Sequence, residues 1–105
     1  MVVSNTITIN VIQQTYAYNV TFYVTDAYTG YPIAGALVEL VASSGTTYYQ
    51  YTNTSGYAYF TGIPQGSYSC SISHTNYKTV TFTVNVNQNL SLSIQLYPSS
   101  TTGPV

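Results

Sequence analysis

Ionisable side chains are nearly missing from this sequence: Asp26, Glu39 and Lys78 are its only charged residues, 3% of the chain. An ordinary soluble domain carries about 25%. One lysine cannot displace the counterions of a phosphate backbone, which excludes nucleic-acid binding. Two carboxylates, one histidine (His74) and one cysteine (Cys70) are too few to converge as three or four metal ligands. Serine, histidine and aspartate do occur together, but serine is so abundant here that their co-occurrence carries no catalytic meaning. No catalytic, cofactor-binding or metal-binding residue is therefore assigned. A single cysteine excludes an intramolecular disulfide, and the apolar alternation around Cys70 marks it as a buried structural thiol. Helical periodicity is absent, no apolar run approaches the roughly 20 residues of a membrane-spanning helix, and the first residues lack the pattern of a secretion signal.

Scarcity of charge has physical consequences. A fold with few titrating groups binds nearly the same number of protons folded and unfolded, so its stability hardly varies with pH. Salt has little to screen. Both properties suit a surface exposed to acid or heat, and subunits packed side by side without mutual repulsion.

Solubility instead rests on 12 Ser, 17 Thr, 8 Asn and much of the 13 Tyr. A hydrophobic content of 45% with 15% aromatics is too high for a disordered tract, and 105 residues suffice for one domain without disulfides or metals. Period-two alternation recurs between Gly, Pro, Asn and Ser clusters, which predicts an all-β chain. Ile7, Ile9 and Val11 alternate with Thr6, Thr8 and Asn10; Val20, Phe22 and Val24 alternate with Asn19, Thr21 and Tyr23. Further strands are expected around Val38 and Leu40, over Tyr48 to Thr52, over Tyr57 to Phe60, through Tyr68, Cys70 and Ile72, from Val80 to Val86, and from Leu90 to Leu96. Asn53-Thr54-Ser55-Gly56 reads as a hairpin joining the fourth and fifth of these segments. One wet and one buried face per strand is the signature of two antiparallel sheets packed face to face.

Three stretches carry a more specific pattern: Val24-Thr25-Asp26 followed by Thr29-Gly30-Tyr31-Pro32-Ile33-Ala34-Gly35-Ala36; Thr52 to Phe60; and Gly62-Ile63-Pro64-Gln65-Gly66-Ser67-Tyr68. Over Tyr18 to Tyr97 the chain resembles the carboxypeptidase regulatory-like domains, related to transthyretin-like and Cna-B-type sandwiches. The resemblance implies an Ig-like or prealbumin-like β-sandwich of about seven strands, used as an accessory, cell-surface or adhesion module. On this reading residues 18–97 form the sandwich, residues 1–17 add an extra strand and connector, and residues 98–105 form a flexible tail or linker. Some Cna-B-type relatives carry an isopeptide bond from a lysine on the first family strand. No lysine lies near Tyr23, so that cross-link is not expected.

Candidate contact residues lie outside this frame. Tyr57 and Tyr59 have outward parity if Ala58 and Phe60 point inward, and Tyr48 is expected to join them across the hairpin, forming an aromatic face for a neighbouring subunit or for sugars. The apolar stripe of Ile7, Ile9 and Val11 must be covered, either by an edge of its own sandwich or by a neighbouring subunit that it completes. Asn19, Asn53 and Asn89 head N-x-Ser/Thr sequons, candidate glycosylation sites, although chance alone yields about two in such a composition. The expected function is a non-catalytic structural or adhesive module of an extracellular assembly (a filament, a cell envelope or a virion appendage), with self-association as the main partnership. The alternative is a carbohydrate-binding accessory module that uses exposed tyrosines.

Overall fold

A computed structural model describes residues 16–99. Seven strands follow one another without a helix: β1 (Ala17–Asp26), β2 (Leu37–Ala42), β3 (Thr47–Tyr51), β4 (Tyr57–Pro64), β5 (Gly66–His74), β6 (Tyr77–Val86) and β7 (Leu90–Leu96). They form a three-stranded sheet in the order β4-β1-β7 and a four-stranded sheet in the order β3-β2-β5-β6. Alternation places the aliphatic and phenylalanine side chains of most strands between the sheets and leaves the polar residues and most tyrosines outside. Val20, Phe22 and Val24 of β1, with Ala58, Phe60 and Ile63 of β4, meet Val38, Leu40, Cys70 and Ile72 of the other sheet in a fully buried core. Phe22 and Phe60 pack edge to face with centroids 5.6 Å apart, a favoured aromatic geometry. The expected β-sandwich is thus present; the segment of Ile7, Ile9 and Val11 lies outside the described residues.

Two pairings differ from the sequence expectation. Asn53 to Gly56 is not a hairpin: β3 pairs with β2 and β4 pairs with β1, so this turn carries the chain from one sheet to the other. The turn chemistry was read correctly, but a tight turn reverses the chain equally well within a sheet or between sheets. The last strand, β7, runs parallel to β1, from Val20 beside Leu90 to Asp26 beside Leu96, whereas every other pair is antiparallel.

Bulges adjust which side chains face inward. Between Tyr18 and Val20 on β1, β4 inserts an extra residue at Thr61 and Gly62, so Phe60 and Ile63 both reach the core although three positions apart. Gly62 takes φ 68°, which glycine adopts without strain. A second irregularity, between Ile72 and His74 of β5, brings both Val80 and Tyr77 of β6 onto the inner side, packed against the core. Pro98 and Ser99, placed by sequence at the start of a free tail, are held against β6: Pro98 bridges Tyr77 and the Ser99 N–H donates to the Asn76 carbonyl at 3.1 Å.

Candidate functional site

The strongest polar construction is a turn. Asp26 ends β1, and its Oδ1 accepts from the backbone N–H groups of Tyr28 at 2.7 Å and Thr29 at 3.0 Å. Its Oδ2 accepts from the Tyr77 hydroxyl at 2.8 Å, which links β1 of one sheet to β6 of the other. Donation by the Thr29 and Tyr28 amides and then by Tyr77 holds the carboxyl below its usual range. The same bond, with burial, raises the Tyr77 phenol. Asp26 is therefore fully employed as an acceptor within the turn, a structural part and not a free acid.

Thr52, the first residue of the second signature stretch, does comparable work. Its hydroxyl donates to the Ile33 carbonyl at 2.6 Å and accepts from the Ala36 N–H at 2.9 Å, while its backbone exchanges bonds with Ala36 and Gly35. It pins the Pro32 to Ala36 segment against β3, and it is buried. Parity named it as the last residue of a strand; the signal that could have found it is a threonine placed where the chain leaves one sheet for the other.

Cys70 is fully buried between the sheets, where burial pushes its thiol up to about 12. His74 closes β5: its Nδ1 accepts from the Asn76 N–H at 3.2 Å, and its ring meets Tyr77 edge to face. Glu39 sits half-buried on the outer side of β2, between Ser71 of β5 and Tyr49 of β3. Among the described residues no three His, Cys, Asp or Glu side chains stand together.

Tyrosines dominate the outer surface, in groups that sequence parity resolved only in part. On the outside of the three-stranded sheet, Tyr57 stacks on Tyr23 at 4.7 Å and on Tyr59 at 5.7 Å, giving a ladder across β1 and β4. Thr21, Ser91 and Ser93 continue this face across β1 and β7 without a charge. Tyr48 does not join it. Its partner Leu40 points into the core, so Tyr48 also turns inward, half-buried and edge to face with Tyr68 of β5, two strands away in the same sheet. Tyr23, not Tyr48, is the third ring, brought beside Tyr57 by a strand pairing that no local pattern reveals. A second exposed pair, Tyr49 and Tyr51, lies on the outside of β3, and Tyr28 meets Tyr97 at the end of the sandwich near Asp26.

The three sequon asparagines are exposed. Asn53 Oδ1 accepts from the Ser55 and Tyr57 N–H groups at 2.9 and 3.0 Å, and Asn89 Oδ1 accepts from the Asn19 N–H at 2.9 Å. Both side chains thus hold the fold, which accounts for asparagine there without a glycan.

Two facing sheets, a fully buried apolar core and polar outer faces define a β-sandwich domain. Residues 19–97 match the family model of the carboxypeptidase regulatory-like domain, and the chain belongs to that family. No curated protein matches the sequence. Among solved structures the fold is similar to BcpA, the major pilin subunit of Bacillus cereus (TM-score 0.66, 16% identity, 79% of this chain and 30% of that one). It is also similar to the group B streptococcus pilus 2b backbone protein (TM-score 0.66, 13% identity, 78% of this chain and 41% of that one). A chain from a type II Cohesin-X-Dockerin complex of Acetivibrio cellulolyticus shares 31% identity at a TM-score of 0.60, over 73% of this chain and 52% of its own. The present chain therefore spans between about a third and about half of these proteins. The first two likenesses establish the fold.

Proposed function

We propose that this chain is a non-catalytic structural module of an extracellular surface assembly, on a cell or a virion, that associates with further copies or with neighbouring domains. The observation that carries this reading is a pilin-type sandwich whose outer faces are built from Thr, Ser and Tyr, with Glu39 half-buried and Asp26 consumed in a turn. Such faces pack side by side without charge repulsion, and the Tyr23–Tyr57–Tyr59 ladder offers a large contact area at little cost in rotamer entropy. The apolar stripe at Ile7, Ile9 and Val11 supplies a second means of association, by strand exchange. Negative-stain imaging and size-exclusion chromatography of the purified protein over a range of concentrations test the reading. Ordered polymers or defined oligomers that persist in high salt are expected. A monodisperse 11.4 kDa species at every concentration overturns it.

The same ladder supports a second reading, a carbohydrate-binding module, because flat aromatic rows flanked by hydroxyls stack on sugar rings. Titration with soluble oligosaccharides, followed by tyrosine fluorescence in the parent and in Tyr57→Ala, distinguishes the two. Saturable binding lost in the variant favours the sugar; silence in both rejects it.

A further inference from the structure

The two sides of the sandwich are closed unequally. On the side of β3 and β4, Ala58, Phe60 and Ile63 of β4 are fully buried and a single inward apolar residue, Tyr48 of β3, is half-buried. On the other side β6 and β7, the terminal strands of the two sheets, face each other across a seam. One end of that seam is shut where the Lys78 N–H donates to the Tyr97 carbonyl at 2.8 Å and Pro98 bridges Tyr77; near the other end Val84 and Val86 are buried. Along its middle, Val80 and Phe82 of β6 and Leu90, Leu92 and Ile94 of β7 have inward parity yet are only half-buried. The outer edge of β7 has no strand beside it among the described residues. Half-covered apolar positions next to an unpaired ladder are what a sandwich shows where one strand is still to be added.

We infer that this seam is the acceptor for residues 7–11 of a second copy of the chain, which adds a strand to the free edge of β7. The inference rests on the assembly reading above and names its contact. Ile7, Ile9 and Val11 recur at the same spacing of two as Leu90, Leu92 and Ile94, so three apolar side chains enter beside three. Thr8 and Asn10 then fall on the outer face, in line with the polar Ser91, Ser93 and Gln95. Neither segment carries a charge.

Chain geometry favours a neighbour over the same copy. Pairing of β1 with β7 begins only at Val20, whereas the chain before it runs on beside β4, where the Tyr16 carbonyl accepts from the Gln65 N–H at 2.7 Å. From Tyr16 to Val20 the chain covers about 13 Å along the strand, and the far edge of β7 lies two strand spacings, about 9.5 Å, to the side. A straight path from Tyr16 to a residue beside Leu90 is thus about 16 Å, against at most about 18 Å for the five steps from Val11 to Tyr16 when fully extended, which leaves little slack. The turn holding Asn89, bonded to Asn19, lies across that path. Sliding the register to gain slack withdraws Val11 from the seam. A strand from another copy meets no such limit, and successive head-to-tail donation builds an open filament.

Three samples test this: the full chain, the full chain with Ile7→Ser, Ile9→Ser and Val11→Ser, and that triple variant mixed with a synthetic peptide of residues 2–13. Expected are assembly of the parent, a folded monomer from the triple variant, and one-to-one binding of the peptide measured by calorimetry. Leu92→Thr in the triple variant should weaken the peptide by at least about tenfold. If circular dichroism shows Leu92→Thr unfolded, Val80→Thr on the opposite lip gives the same readout. Assembly of the triple variant like the parent overturns strand donation and leaves the surface-assembly reading standing. Failure of the peptide to bind the folded monomer overturns the seam as acceptor. A parent that is monomeric throughout, and whose Tm falls in the triple variant, places the strand on its own chain and overturns both readings.

Discussion

The Tyr77 hydroxyl donates to Asp26 Oδ2 across 2.8 Å, joining the end of β1 in one sheet to the start of β6 in the other. One carboxylate thereby organises a turn through two backbone amides and fastens the two sheets together at the same end. It is one of only two acidic residues in the chain.

That pair sets the pH response. The carboxyl of Asp26 lies below its usual range in the folded protein, so its contribution is present above the unfolded value near 3.8 and is lost as pH falls through the folded value. Tyr77 is raised by its bond to Asp26, Tyr68 by burial and by nearby Tyr48, and Cys70 to about 12 by burial. These three contribute stability below their unfolded values and lose it as pH rises above about 9 to 10. Thermal unfolding should therefore give a Tm that is flat from about pH 5 to pH 8, falls modestly below pH 4 and falls more steeply above pH 10. Tyr77→Phe should lower Tm at neutral pH and make the acid slope shallower. A Tm that drops by tens of degrees between pH 5 and pH 3 would contradict the assignment.

Thr52→Val keeps the shape of the side chain but removes its hydroxyl. The buried Ile33 carbonyl and Ala36 N–H then lose their partner, at a cost of about 1–3 kcal/mol. Chemical denaturation is the direct measurement. An unchanged midpoint would mean that water replaces the hydroxyl.

Gly56 takes φ 84°, and a Cβ there would come within 2.7 Å of the Val24 carbonyl oxygen and 2.9 Å of Pro32 Cβ. Its own carbonyl accepts from the Val24 N–H at 2.8 Å, so the turn has little room to move away. Gly56→Ala should cost at least about 2 kcal/mol, combining left-handed strain with the clash. Gly45→Ala, at φ 97° in open space, carries the backbone strain without the contact and should cost less.

Phe60→Ala removes a ring that is 2% exposed and packed edge to face on Phe22. A loss of about 3–5 kcal/mol is expected in the same denaturation experiment. A loss below about 1 kcal/mol would mean that the neighbouring bulge lets the core collapse around the gap.

Local chemistry made much of this protein legible. Alternation named Val20, Phe22, Val24, Val38, Leu40, Cys70 and Ile72 as inward, and all are buried, because a pleated strand with one wet face has a strict period of two. The Asn53 turn is legible from a residue type whose side chain bonds to its own backbone a few positions on, and Asp26 at the end of β1 does the same. Ile63 falls outside the alternating segment that ends at Phe60, because the bulge at Thr61 and Gly62 breaks the period and only partner strands show where a bulge falls.

The sequence by itself therefore determined an all-β chain, its family, most of its buried set and a surface nearly without charge. The tertiary structure alone decided which strands are neighbours. It sent the Asn53 turn between sheets, set β7 parallel to β1, turned Tyr48 inward, placed Tyr23 beside Tyr57 and Tyr77 beside Asp26, and left the β6–β7 seam half open. The physical reason is that periodicity and turn chemistry act between residues a few positions apart. Strand order, by contrast, is fixed by contacts between residues as distant as Asp26 and Tyr77, whose energies depend on the whole packed arrangement.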